Sequence, residues 1–135
     1  MAVQLSTTLR NARLDQIETT VGTSAVLKIR TGAQPVSVAT ADSGTVVATL
    51  SLPTDWMGAA ANGTKAKAGT WEDSTADATG TAAHWRLYQS DGTTCHAQGS
   101  VTVTGSGGDL TVDNVSFSSG QSFTVTAWTF TEANG

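Results

Sequence analysis

Few residues of this chain could do chemistry, and His84 and His96 head them, because two imidazoles on neighbouring strands can share a metal ion. The stretch from Ala83 to Val103 reads as a hairpin about Asp91-Gly92, in which hydrophobic register and turn chemistry have to agree. A two-residue loop would set Leu87 opposite His96 and Trp85 opposite Gln98, which interrupts the apolar face. A three-residue Ser90-Asp91-Gly92 loop instead pairs Leu87 with Cys95, Trp85 with Ala97 and Ala83 with Gly99, with Gly92 in the left-handed position of the turn. In that register Arg86 faces His96 and His84 faces Gln98 on a polar side, while Cys95 lies on the other. Zinc takes three or four ligands, so two histidines alone are expected to hold none.

The carboxylates and hydroxyls offer no more. Glu72, Asp73 and Asp77 are close in sequence, as are Asp109 and Asp113, but neither group has the spacing of a calcium loop or of a paired general acid and base. Serines are plentiful without a G-x-S-x-G elbow, and the glycines match no phosphate-binding loop. No enzyme activity, cofactor or metal is expected. Among the four tryptophans, Trp85 reads as a core residue, whereas Trp71 and Trp128 could stack on sugar rings if they stand exposed.

The elements that would position these residues are mostly strands. Ser6 to Thr20 is the one helix, with Ser6 as N-cap and Gly22 beyond its end. Its apolar residues Leu5, Leu9, Ala12, Leu14, Ile17 and Val21 spread over a broad stripe, to lie on the chain's own sheet or on a neighbour. After it the period becomes two: Ala25, Leu27 and Ile29 alternate with Lys28 and Arg30, and Val46, Ala48, Leu50 and Leu52 repeat the pattern. Strands are predicted over 25–31, 45–52, 64–72, 82–89, 94–104, 109–117 and 122–131, with an eighth near Val36 to Val38. Phe123, Val125 and Ala127 share a face, and the pattern shifts after Ala127 as at a bulge. The fold class is therefore all-β, an antiparallel β-sandwich or jelly roll of seven to eight strands with one N-terminal helix, organised as a helical arm over 1–22 and a single domain over 23–135.

Charged residues are 13% of the 135, against about 25% in an average soluble domain. The net charge of −4 combines +2 over residues 1–30 with −6 over the rest, and beyond residue 30 only Lys65, Lys67 and Arg86 are basic. No basic stripe exists for phosphates, so nucleic acid is not an expected partner, and no apolar run approaches a membrane span. Cys95, the single cysteine, cannot form an internal disulfide. A hydroxyl-rich surface of low charge suits a subunit packed against neighbours. The contact residues expected are Leu9, Arg10, Arg13 and Ile17 on the helix, with Trp56 and Met57 on the loop that follows Pro53.

Four stretches, QLSTTLRNARLDQIET, ADSGTVVATLSLPTDWM, GTWEDSTADATGTAAHWRLYQSDGTTCHAQGSV and DNVSFSSGQSFTVTAWTFTEANG, resemble small structural proteins of tailed bacteriophages, most nearly the capsid cement, or decoration, proteins of short-tailed phages. The resemblance spans the chain and brings no catalytic motif. It implies a jelly roll on the outer surface of the virion, made in the host cytoplasm, binding the major capsid protein and copies of itself as a dimer or trimer. A neck, tail or fibre component and a carbohydrate-binding module are the alternatives.

Overall fold

The computed structural model describes residues 3–132. Helix α1 (Thr7–Val21) is followed by strands β1 (Val26–Arg30), β2 (Val46–Ser51), β3 (Thr64–Ala66), β4 (Trp71–Asp73), β5 (Gly80–Thr81), β6 (His84–Tyr88), β7 (Cys95–Val103), β8 (Leu110–Val112), β9 (Ser116–Phe117), β10 (Phe123–Val125) and β11 (Thr129–Thr131). The chain is mostly β with one helix, as its patterning implies.

Five strands form one curled sheet in the order β2-β1-β6-β7-β8, and β10 with β4, β11 with β3, and β5 with β9 form two-stranded ladders. All pairs are antiparallel but one. β7 and β8 run parallel, Val101 beside Leu110 and Val103 beside Val112, so the wholly antiparallel sheet expected from the alternation is corrected to a mixed one. Parallel neighbours usually need a crossover of a dozen residues or more. Here the connection from Thr104 to Asp109 is much shorter, and left-handed backbone at Gly105 and Gly107 lets it double back.

Three predicted strands are each split. The 64–72 run breaks at Gly69, where φ is +68° and a side chain would press into the Pro53 ring. The 109–117 run breaks where Asn114 Oδ1 accepts the Ser116 amide, a local turn that competes with the ladder. The 122–131 run breaks after Val125: Ala127, expected inside, is exposed, and Trp128 is buried in its place. The Val36–Val38 stretch is not a strand.

The hairpin differs from its predicted register by a compensating pair of irregularities. Asp91 accepts the amides of Thr93 and Thr94 and the Thr94 hydroxyl, which stabilises a four-residue loop closed by Gln89 N–H donating to Thr94 O. Tyr88 thus sits beside Cys95. A bulge at His96 then restores parity, giving Leu87 opposite Ala97, Trp85 opposite Gly99 and Arg86 opposite Gln98. Gly92 is left-handed as expected, with φ +68°. Gly99 is required for another reason, since a Cβ there would come within 2.7 Å of the Trp85 ring.

One core cluster draws on nearly every element. Its spine is aromatic: Trp56, Trp71, Trp128 and Trp85 follow one another with ring centroids 5.9, 5.4 and 4.5 Å apart. The loop site assigned to Trp56 and Met57 is accordingly corrected. Both are buried, and Trp56 Nε1 donates to Gly22 O at 2.9 Å, because a large ring beside small residues removes more apolar area from water inside the core than on a loop. Trp71 and Trp128 also lie in the core and offer no exposed stacking face.

The helix starts and stops where its caps dictate. Ser6 Oγ accepts the Leu9 amide at 3.1 Å, and Gly22, at φ +92°, returns its N–H to Glu18 O. Leu14 and Val21 are buried and Ile17 packs against the core. A polar stripe also faces inward: Asn11 accepts from Gly63 N, Asp15 from Ala60 N and Lys65 Nζ, and Glu18 from Met57 N. The helix of the 1–22 segment is therefore tied to the β-elements by both apolar and polar contacts.

Candidate functional site

Fifteen residues, 31 to 45, join β1 to β2 without secondary structure of their own, a length at which loops are commonly functional. This strap folds over the side of the sheet that carries the even-numbered residues of β6. Pattern reasoning makes that side polar and solvated, yet His84 and Arg86 are buried there and Arg30 nearly so.

The reason is a network that ties strap carbonyls to sheet side chains. Arg86 Nη2 donates to Val38 O at 2.7 Å and Nη1 to Thr40 O at 3.0 Å. Arg30 Nη1 reaches Ser43 O at 3.3 Å, and Gln98 Nε2 donates to Pro35 O at 2.7 Å. Asp42 is the only carboxylate of the strap, and it meets Arg30 at 2.9 Å, Arg86 at 3.1 Å and the Tyr88 hydroxyl at 2.6 Å. Burial, followed by the Asp42 hydrogen bond, pushes the Tyr88 phenol up to about 12. Cys95 joins this side because of the bulge, its Sγ accepting from Arg86 Nε at 3.2 Å. Within the strap Gly44 has φ +70°, and any side chain there would collide with the Thr31 carbonyl.

His84 Nδ1 lies 2.9 Å from Gly32 O. A carbonyl only accepts, so Nδ1 carries the proton and Nε2 is the lone-pair nitrogen, buried without a partner among the described residues. Burial first, then Arg30 and Arg86, lower the His84 pKa against the opposing Gly32 bond. The two histidines do not meet: His96 Nε2 bonds Gln89 Oε1 at 2.9 Å instead.

What this network presents outward is apolar. Val36 is 95% exposed and Val38 39% exposed, on a loop whose backbone is held from beneath by guanidinium groups. Helix residues expected at a contact surface divide. Leu9 is 47% exposed, while Arg10 and Arg13 are committed to the far end of the chain, through Arg10 Nη1 to Glu132 O at 3.3 Å and Arg13 Nη1 to Glu132 Oε1 at 2.9 Å. Ile17 faces the core and Trp56 and Met57 are inside it, so of the six expected contact residues Leu9, Arg10 and Arg13 reach the surface.

Beside the helix a cleft of about 620 Å³ is lined by Asp15, Glu18, Asp55 and Lys65. Lys65 is a structural cation there, 2.8 Å from Asp15 and 3.2 Å from Glu18. Its hydrogen bond, with that of the Ala60 amide, holds the Asp15 carboxyl below its usual range.

Sequence reasoning missed the strap because its alternation signal, Val36 and Val38, imitates a strand. The surplus of buried cations was visible only as Arg30, His84 and Arg86 at alternate positions of otherwise apolar strands. No protein-family model, curated protein or solved structure matches the chain.

Proposed function

We propose that this chain is a virion structural protein, a capsid cement or decoration subunit that clips to the major capsid protein of a tailed phage, with its β-elements arranged as a jelly roll. The observation that carries this reading is the strap: an ordered loop presenting Val36 and Val38 to solvent from a buried ionic anchor. Exposed aliphatic residues held at fixed positions lose little conformational entropy on docking, which favours binding to another protein surface. The low-charge surface and the resemblance noted in the sequence support the same reading. Leu9 and the helix surface around Arg10 and Arg13 supply a second contact, to the shell or to another copy of the chain.

The test is the copy number in purified particles, by quantitative mass spectrometry against the major capsid protein. A ratio near one to one, or one per symmetric cluster of coat subunits, is expected. A dozen copies or so per particle would move the protein to the neck or tail, and absence from particles would sink the virion reading. The strap assignment has its own check: Val36→Asp combined with Val38→Asp leaves the fold intact and reduces particle occupancy at least tenfold, the equivalent of about 1.4 kcal/mol.

A further inference from the structure

The strap is held over a cluster in which cations outnumber carboxylates, and one member of that cluster can gain a charge. On β1 and β6, Arg30 stands directly opposite His84, and Lys28 directly opposite Arg86. Three of these point into the strap interface. Lys28 turns aside to Gly92 O at 3.0 Å and lies over the Tyr88 ring. The strap contributes one carboxylate, Asp42, which already serves Arg30, Arg86 and Tyr88. From β7 the facing groups are Cys95, Gln98 and Ser100, and Asp109, ahead of β8, accepts the Ser100 amide and hydroxyl through Oδ2 rather than meeting His84.

His84 is neutral in this arrangement, with Nδ1–H on Gly32 O and the Nε2 lone pair enclosed. A proton arriving at Nε2 finds no acceptor among the described residues. It also creates a third cation beside Arg30 and Arg86, and like charges directly opposed across strands repel. Relief requires water at Nε2. The sheet cannot supply that opening, since its ladders hold β1, β6 and β7 on both sides. The strap can, because side chains from the sheet rather than a backbone ladder secure it, and weakly secured segments open first.

We propose that His84 is an acid-operated latch: protonation of Nε2 releases the 31–45 strap from the sheet and dissolves the arrangement that presents Val36 and Val38. The latch belongs to the free chain and stands whichever partner the strap meets.

The experiment follows the Val36 and Val38 methyl signals and the His84 ring nitrogens of the full-length protein by NMR from pH 7.5 to 4. The strap methyls are expected to move with the same midpoint as His84 Nε2, below the ordinary imidazole range, while Leu27, Ile29 and Leu87 in the sheet stay fixed. His84→Asn, which keeps a donor near Gly32 O but cannot take up the proton, is expected to abolish that movement. Arg30→Gln removes the opposing cation and shifts the midpoint to higher pH. Strap movement with an unchanged midpoint in His84→Asn would assign the release to Asp42 and overturn the proposal, as would titration of His84 without strap movement. If His84→Asn fails to fold, the coincidence of midpoints in the native chain and its shift in Arg30→Gln decide the matter.

Discussion

At the residue scale the molecule turns on two polar centres, a surface carboxylate, Asp42, over buried guanidinium groups and the buried Lys65 among its carboxylates. Asp42 faces two guanidinium groups whose side chains are 8% and 1% exposed, so neutralising it strands two buried cations. Asp42→Asn is expected to cost about 3 kcal/mol, measured by urea unfolding. A loss under about 1 kcal/mol would mean that the guanidinium groups are adequately served by the strap carbonyls alone. Asp15 predicts a pH dependence of known sign. Its folded-state pKa lies below the unfolded one, owing first to the Lys65 hydrogen bond, so its contribution is complete above the ordinary carboxylate range and disappears as pH falls through the lowered value. The acid limb of a stability-versus-pH curve is therefore expected to flatten in Asp15→Asn, which no longer releases that proton on folding. An unchanged limb would assign acid sensitivity to other carboxylates.

At the element scale, the helix ends and the strand cores were legible because each rests on local chemistry: Ser6 and Gly22 as caps, and alternation at Leu27, Ile29, Ala48 and Leu50. The hairpin shows where legibility stops. Periodicity reports only parity, and a four-residue loop followed by a bulge at His96 keeps the parity of a three-residue loop while displacing every pair and moving Cys95 to the other side. Nor does alternation reveal what covers a polar face, and so the strap site was unreadable although Arg30, His84 and Arg86 were in plain view. The helix had an overlooked signal. Asn11, Asp15 and Glu18 are spaced as one helical face, and that face satisfies the amides of Gly63, Ala60 and Met57. Deletion of residues 1–20 strands Lys65, which is 2% exposed, without either carboxylate and removes the side-chain acceptors of the Met57, Ala60 and Gly63 amides. The truncated chain is expected to lose its cooperative thermal transition in calorimetry. A truncated chain melting within a few degrees of the full-length protein would restore the separable arm.

At the scale of the whole molecule, the distribution of charge fixes how binding should respond to salt. The net charge is −4, and the basic side chains near the strap are turned inward, so the surface offered to a partner is Val36 and Val38 with neutral neighbours from Gln34 to Thr40. Contacts between such surfaces rest on apolar burial, which salt does not screen, whereas exposed ion pairs lose most of their strength beyond the Debye length of about 10 Å at 0.1 M. One pair of valines removes too little area to bind tightly alone, so in the capsid role proposed above occupancy would depend on repetition, many weak contacts on a fixed lattice. Two consequences distinguish this from an electrostatic clamp built on Arg10 and Arg13. Particle occupancy measured by sedimentation is expected to change less than about twofold between 50 and 500 mM sodium chloride. Binding to isolated coat subunits is expected to be far weaker than binding to assembled shells, because a single subunit offers no lattice. Occupancy that collapses with salt would instead assign the contact to the two helix arginines, released from Glu132 to reach an acidic partner.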